Sequence, residues 1–218
     1  MKHIYCISGF GADERMFSKF QFTGYEIHFI KWITPEKNEN IQSYTKRLIK
    51  QIHHETPIFI GLSFGGMICV EIASQINTSL IIIISSIKSH AEMPLWMRLS
   101  GKLKLNRLLP MRSYKLIQPL QDYNLGIQSK EERKLVHSYR KNIDKVYSNW
   151  AVNAILNWKN TVAPKNLYHI HGDQDRIFSI KKIKSDYTIS KGGHLMILNK
   201  SEEVNECISS ILRKYYDC

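Results

Sequence analysis

With 218 residues, of which 43% are hydrophobic and 23% charged, the chain has the composition of a globular protein and is long enough for one domain, or one domain with an insertion. Its longest apolar run, Leu80 to Ile84, is too short to cross a bilayer, and the first apolar run breaks at Gly9, too soon for a signal peptide. The net charge of +12 permits an anionic partner, but no nucleic-acid motif accompanies it, so the sequence favours a solvated basic surface.

The four cysteines show no CxxC pair and no spacing typical of a metal site. Cys6 and Cys69 lie in apolar segments, where a free thiol usually packs as a small hydrophobic side chain. We therefore expect a protein of the reducing cytoplasm that uses no metal and no cofactor.

The first part of the chain alternates between short apolar runs and helical patterns. Strands are predicted at His3–Ile7, Tyr25–Trp32, Ile58–Ile60 and Leu80–Ile84. Helical spacing follows Asp13, runs from Ile41 to near His54, and runs again from Phe64 to Ile76. Unbroken apolar strands that alternate with helices are typical of a parallel sheet covered on both faces, so we predict an α/β fold. Reactive groups of such sheets gather at the carboxyl ends of the strands.

The alternation stops between about Ser86 and Pro164, where three or four helical patterns occur without a convincing strand. Strands return at Leu167–His171 and, weakly, at Asp186–Ile189, and Ser201 can cap a last helix. We predict about six mostly parallel strands flanked by helices, with a helical lid inserted after the fourth strand. The predicted boundaries are 1–86 and 164–218 for the core and 87–163 for the lid.

Ser63 lies between a strand and a helix in the pattern Gly61-Leu62-Ser63-Phe64-Gly65. A turn this tight needs glycines where a Cβ would strike the neighbouring backbone. It lifts the serine hydroxyl clear of the sheet and places the Phe64 amide at the positive end of a helix. The pattern predicts a nucleophile, with a plain glycine-rich turn as the alternative.

A serine needs a base to take its proton, and the base needs an acid to orient it. His194 lies in a glycine-rich loop after the last strand, which ends at the same edge of the sheet as Ser63, so it is the predicted base. His171, at the end of a strand, is more easily explained as a brace for the next turn. Asp175 is the predicted acid and Asp173 the second choice, although both could be ordinary turn residues.

Two backbone amides would hold the oxyanion: that of Phe64 and, in the loop Ser8-Gly9-Phe10-Gly11 after the first strand, that of Phe10. The glycine loop, the serine turn, the helical insertion, the acid turn and the histidine loop all fall at strand ends. They follow one another in the order Ser, Asp, His. This joint order supports a catalytic triad more strongly than any single motif does.

The chain resembles a small, lidded, esterase-like α/β-hydrolase over nearly all of its length. The resemblance is carried by Ser8-Gly9-Phe10-Gly11, Gly61-Leu62-Ser63-Phe64-Gly65-Gly66, His171-Gly172-Asp173-Gln174-Asp175 and Gly192-Gly193-His194. It implies the α/β-hydrolase fold, Ser63 as nucleophile, Asp175 as acid, His194 as base, and oxyanion amides at Phe10 and Phe64. The chain departs from the family where Ser8 replaces the usual histidine, a side chain that normally braces the first loop.

We expect a hydrolase that cleaves a small-molecule carboxylic ester or thioester through an acyl-serine. The expected substrate-binding residues are Trp96, Met97, Trp150 and Leu195, although such side chains are more often core residues. Between Met93 and Gln121 the chain carries six basic residues and no acidic residue. This positive charge would favour an anionic substrate or an acidic acyl-carrier protein. These basic residues are Arg98, Lys102, Lys104, Arg107, Arg112 and Lys115.

Several alternatives stay open from the sequence. Within the enzymes they are a methyl esterase of the biotin-pathway type, an acyl thioesterase and a lyase that uses the same triad. The fold could also serve as a ligand-binding module without turnover, which an intact triad argues against. Nucleic-acid binding rests on charge alone and would show a steep salt dependence.

Overall fold

The computed structural model describes residues 2–104 and 114–216, with the backbone alone at 114–117. Its six strands form one all-parallel sheet in the order β2-β1-β3-β4-β5-β6. The strands are β1 (Lys2–Ile7), β2 (Tyr25–Ile30), β3 (Ile58–Leu62), β4 (Leu80–Ile84), β5 (Leu167–Gly172) and β6 (Tyr187–Ile189). The predicted α/β class and the sheet of about six strands are confirmed.

Eight α-helices are found among the described residues. They are α1 (Ile41–Leu48), α2 (Phe64–Ala73), α3 (Leu95–Lys102), α4 (Tyr114–Leu125), α5 (Lys130–Asn142), α6 (Lys145–Leu156), α7 (Met196–Asn199) and α8 (Ser201–Tyr216). The helix predicted after Asp13 is present as a 3-10 helix of four residues, Glu14–Phe17, which the Asp13 side chain caps. These four residues are enough to bury the side chains of Met16 and Phe17. No helix of the described chain is long and apolar enough to cross a membrane.

The strand order reverses direction beside β1. The chain passes from β1 outward to β2 and then returns to place β3 on the other side of β1. Helices then cover opposite faces of the sheet, and a crevice opens at the carboxyl ends of β1 and β3. The loop that starts at Ser8 and the turn at Ser63 both lie at this crevice.

Two buried layers hold the sheet between its helices. On one face, Ile4, Ile60 and Ile82 pack with the last helix, α8, and with the turn Glu14–Phe17. On the other face, Tyr5, Phe59 and Ile83 pack with α1, α2 and α6. β3 and β4 are buried at every residue, as expected for central strands, and each fully buried isoleucine contributes about 1.5–3 kcal/mol.

The chain between β4 and β5 forms helices α3 to α6, with no strand in the part that the structure describes. This segment packs on both layers, because Tyr139 of α5 belongs to the first and Tyr147 and Ala151 of α6 belong to the second. The apolar repeat Leu95, Leu99, Leu103 on α3 faces outward, each side chain being more than half exposed. Arg107, Arg112 and Cys218 lie outside the described residues, as does the side chain of Lys115.

Candidate active site

Ser63 occupies a strained backbone position between β3 and α2. Its φ of 52° and ψ of −116° lie outside the regions that serine ordinarily adopts, which costs on the order of 1–3 kcal/mol. Two hydrogen bonds hold it there: the Ser63 N–H donates to the Ile84 carbonyl at 2.9 Å, and the Ser86 hydroxyl donates to the Ser63 carbonyl at 2.6 Å. The side chain is partly exposed, so the hydroxyl is accessible.

Three glycines make this turn sterically possible. A Cβ at Gly61 would lie 2.6 Å from the Gly65 carbonyl oxygen. One at Gly65 would overlap the carbonyl oxygen of Ile7 in β1, and one at Gly66 would overlap the Ser86 hydroxyl. The glycines therefore let α2 start directly against β1 and β4, as the sequence pattern predicts.

Ser63, His194 and Asp175 form a connected line of hydrogen bonds. The His194 Nε2 lies 2.9 Å from the Ser63 Oγ, and its Nδ1 lies 2.8 Å from the Asp175 Oδ2. A carboxylate only accepts, so the Nδ1 carries the hydrogen and the Nε2 is left to accept from the serine hydroxyl. The structure thus brings together the three side chains that the sequence selects, across 131 residues of chain between the serine and the histidine.

The Asp175 carboxylate is fully buried and fully satisfied. Its Oδ1 accepts from the N–H groups of Ile177 and Phe178 at 2.8 and 2.9 Å. Burial alone would raise the pKa of this carboxyl group, but the charge and hydrogen bond of His194, with smaller contributions from His171 and the Phe178 N–H, lower the pKa overall. Asp175 is therefore a carboxylate at neutral pH, aimed at His194.

His171 and His169 lie buried behind Asp175. The His171 Nε2 donates to the Phe178 carbonyl at 2.8 Å, which leaves its Nδ1 to accept from the His169 Nε2 at 3.2 Å. Burial is the main cause that lowers the pKa of both imidazoles, so both are neutral. His171 holds the turn that carries Asp175 and does not contact Ser63, which agrees with the brace expected from the sequence.

The turn after β5 interlocks with the His194 loop. A Cβ at Gly172 would overlap the Gly192 carbonyl, and the Gln174 N–H donates to that same carbonyl at 2.9 Å. On the other side, the Leu195 N–H donates to the carbonyl of Leu125, the last residue of α4, at 3.0 Å. The loop is therefore fixed from both sides.

The loop after β1 lies directly against Ser63, since a Cβ at Gly9 would be 3.6 Å from the Ser63 Cβ. The Ser8 hydroxyl donates to the Ala12 carbonyl at 2.6 Å. The Trp32 Nε1–H is shared between the Ser8 hydroxyl at 3.1 Å and the Gly9 carbonyl at 3.2 Å. Ser8 and Trp32 thus brace the loop that a histidine would usually brace, and no local signal marks Trp32 for this role.

Five aromatic side chains beside the Ser8 loop and the Ser63 turn contact one another and are called the aromatic wall: Phe10, Trp32, Phe64, Tyr147 and Trp150. Trp32 stacks on Phe64 with ring centroids 5.3 Å apart, and Tyr147 lies 5.4 Å from Trp32 and 6.1 Å from Phe10. Tyr147 is buried, and the backbone N–H of Gly11 faces its hydroxyl oxygen. Sequence reasoning missed Trp32 and Tyr147 because neither belongs to a motif.

The four expected substrate-binding residues lie in different surroundings. Trp150 belongs to the aromatic wall, its ring lies tilted against that of Tyr44 with centroids 3.9 Å apart, and its Nε1–H donates to the Glu39 carbonyl. Met97 and Leu195 are buried in the two packed layers. Trp96 is 58% exposed on α3. Of the four, Trp150 has the contacts expected of a residue beside the crevice.

No protein-family model matches the chain. No curated protein matches it either. Solved structures do match over nearly all of it, at low identity. MenH from S. aureus is 17% identical, with 98% of this chain and 94% of that chain covered and a TM-score of 0.74. The esterase EaEST from Exiguobacterium antarcticum is 13% identical, with 98% of this chain and 92% of that chain covered and a TM-score of 0.72. A thermophilic esterase from Thermogutta terrifontis is also 13% identical, with 99% of this chain and 91% of that chain covered and a TM-score of 0.68. The protein accordingly has the α/β-hydrolase fold.

Proposed function

We propose that the protein is a serine hydrolase that cleaves a carboxylic ester or thioester through an acyl-enzyme. The observation that carries this proposal is the hydrogen-bonded line from Ser63 through His194 to the buried Asp175, with contacts of 2.9 and 2.8 Å. The description of two solved structures of the same fold as esterases supports it.

In the proposed reaction, the His194 Nε2 takes the proton of the Ser63 hydroxyl as the Oγ attacks the carbonyl carbon of the substrate. The negative charge that develops on the carbonyl oxygen is stabilised by backbone N–H groups of Phe64 and Phe10, a contribution typically worth about 10²–10³ in rate per donor. His194 then gives its proton to the departing alkoxide or thiolate. Asp175 stabilises the imidazolium throughout.

Deacylation repeats these steps with water as the nucleophile. The water gives its proton to the His194 Nε2 and its oxygen attacks the acyl carbon, and the same proton returns to the Ser63 Oγ as the acid is released. The crevice between Ser63 and the aromatic wall would hold the acyl group. Its apolar lining favours an acyl chain or ring without charge near the reacting carbonyl.

The basic residues of the inserted segment would attract an anionic substrate or an acidic acyl-carrier protein. Arg98 is occupied within the segment, since its guanidinium donates to the carbonyls of Ala91 and Met93. Lys102 and Lys104, at the end of α3, are exposed. Their charge can act on a partner, and their reversal to glutamate would test an electrostatic contribution.

A fluorophosphonate probe tests the nucleophile directly. We expect it to label the wild-type protein at Ser63 and to leave Ser63→Ala unlabelled, with the exposed Ser18→Ala as a control that retains Ser63 and its surroundings. A panel of p-nitrophenyl esters, acyl-CoA and acyl-carrier substrates then separates ester from thioester cleavage. Equal labelling of wild type and Ser63→Ala, or a ligand that binds but is not turned over by the labelled protein, would contradict the proposal.

A further inference from the structure

A cluster of histidines lies outside the candidate active site, on the face of the sheet that carries Tyr5. His3 comes from β1, His28 from β2, and His54 from the segment before β3. Each offers a ring nitrogen, and the three nitrogens lie within 4.8 Å of one another. All three residues are partly exposed, so the cluster, which we call the histidine cluster, is open to solvent.

The packing within the cluster is close. The His3 Nδ1 lies 3.0 Å from the His28 Nε2, and the rings of His3 and His54 stack with centroids 3.4 Å apart. Two nitrogens bound to one tetrahedral Zn²⁺ at about 2.0–2.1 Å lie roughly 3.3 Å apart, close to the His3–His28 separation. The stacked pair cannot direct both lone pairs at one ion, so binding requires one of these rings to turn out of the stack.

A carboxylate lies beside two of the three histidines. The Glu26 carboxylate lies 3.5 Å from the His3 Nδ1 and 3.8 Å from the His28 Nε2. Glu26 pairs with His3 across β1 and β2, which places both side chains on the same face of the sheet. Three imidazoles and one carboxylate are a ligand set suited to a late first-row divalent metal.

Tyr5 supports the cluster from behind. Its hydroxyl lies 2.6 Å from the His54 Nδ1 and also accepts from the His53 N–H at 3.0 Å. A hydrogen bond to one ring nitrogen fixes the orientation of an imidazole and leaves the other nitrogen as the metal ligand. Tyr5 is buried, so its hydroxyl is held in place by the core.

We infer that His3, His28 and His54, with Glu26, form a binding site for Zn²⁺ or a similar divalent transition metal. The metal would replace the hydrogen shared by His3 and His28 and would join three segments that are distant in the chain. The cluster lies on the amino-terminal half of β1, whereas the loop at Ser8 follows the carboxyl end of that strand. The site is thus separate from the proposed triad, and its role would be to stabilise the fold.

Calorimetric titration of Zn²⁺ into the full chain, first freed of metal by a chelator, tests the site. We expect one ion per chain, and an affinity lowered by at least about tenfold in His28→Ala or His54→Ala. Glu26→Gln should weaken binding less. His53→Ala is the matched control, because the His53 side chain is outside the cluster, and its affinity should stay within about twofold of wild type.

Two further readouts do not depend on how the variants fold. Co²⁺ in place of Zn²⁺ should give the visible absorption of a four-coordinate ion, and the ring-proton NMR signals of the three cluster histidines should be those that shift in the wild type. A wild-type affinity equal to that of a His3/His28/His54 triple alanine variant would overturn the inference. So would shifts confined to other histidines, or no saturable binding at all.

Discussion

Two aspartates separated by one residue have opposite surroundings in the turn after β5. The Asp175 side chain is fully buried and lies 2.8 Å from His194, whereas Asp173 is exposed. The sequence favours Asp175 but cannot exclude Asp173, because both follow the same strand. The difference arises from the fold of the turn, in which the N–H groups of Ile177 and Phe178 point at the Asp175 Oδ1.

Replacing Asp175 with asparagine should lower kcat by about 10³–10⁴-fold, because the neutral amide no longer stabilises the imidazolium or selects the His194 tautomer. Asp173→Asn should leave kcat within about twofold, as for a surface substitution. Steady-state kinetics with the best substrate of the ester panel would measure both. Equal losses in the two variants would contradict the assignment of the acid.

The Tyr147 hydroxyl is a buried polar group beside the Gly11 N–H, and its proton has no acceptor among the described residues. Burial raises the pKa of this phenol well above its ordinary value, so it stays neutral and able to donate. Removal of an unsatisfied buried hydroxyl does not destabilise a protein and can stabilise it by up to about 1–2 kcal/mol.

We therefore expect Tyr147→Phe to have an unchanged or higher melting temperature. Since a hydroxyl left unpaired beside the aromatic wall is available to a bound substrate, the same variant should have a kcat/KM lowered by about tenfold, the loss of one hydrogen bond of roughly 1.4 kcal/mol. Tyr139→Phe is the control, because that hydroxyl is bound to Asp13 away from the wall. A lower melting temperature with unchanged kcat/KM would refute this account.

Among the elements, the turn from β3 to α2 is the one that tolerates least change. A Cβ at Gly65 would overlap the backbone of β1 at Ile7 and Ser8, and backbone cannot move aside as a side chain can. Gly65→Ala should therefore lower the free energy of unfolding by roughly 3 kcal/mol or more, as overpacking of this kind does. Gly193→Ala is the comparison, since a Cβ there meets its nearest atom at 3.5 Å, an ordinary contact. Denaturant unfolding of both variants measures the difference, and equal stabilities would show that α2 can shift.

The elements around the site could be predicted because their signals are local. Gly61, Ser63 and Gly65 lie within five consecutive residues and indicate the tight turn. The glycines directly before His194 indicate a loop by an equally local pattern. Trp32 and Tyr147 could not be predicted, because they reach the site from the segment after β2 and from α6 through packing between residues far apart in the chain. The type and length of the helix after Asp13 could not be predicted for a related reason: four residues in a 3-10 helix already bury Met16 and Phe17, and local spacing does not report how much burial the rest of the fold supplies.

For the molecule as a whole, the buried histidines behind the site make stability depend on pH. Burial lowers the pKa of His169 and His171 below the ordinary value of 6.5, so the unfolded chain binds protons that the folded chain does not. Below about pH 6.5 protonation stabilises the unfolded state relative to the folded state, so the free energy of unfolding falls as the pH falls. Asp175, whose pKa is lowered, adds a further loss only when the pH falls through its folded value.

Unfolding measured by denaturant at a series of pH values should show a decline in stability between pH 7 and pH 5, with a slope of up to about 1.4 kcal/mol per pH unit for each histidine. His169→Gln, which keeps a donor for His171, should flatten this slope. His137→Gln on the exposed face of α5 should not. A slope unaffected by His169→Gln would assign the effect to other groups.

The hydrogen bond from Leu195 to Leu125 ties the end of α4 to the residue next to His194. Any displacement of that helix end must either break this bond or pull on the imidazole. The end of α4 and the loop that carries His194 are thus mechanically linked, so a displacement of one would shift the other. In the proposed hydrolase, a displacement of α4 would therefore also displace His194. The imidazole would return to its position beside Ser63 only when the helix returned to its own.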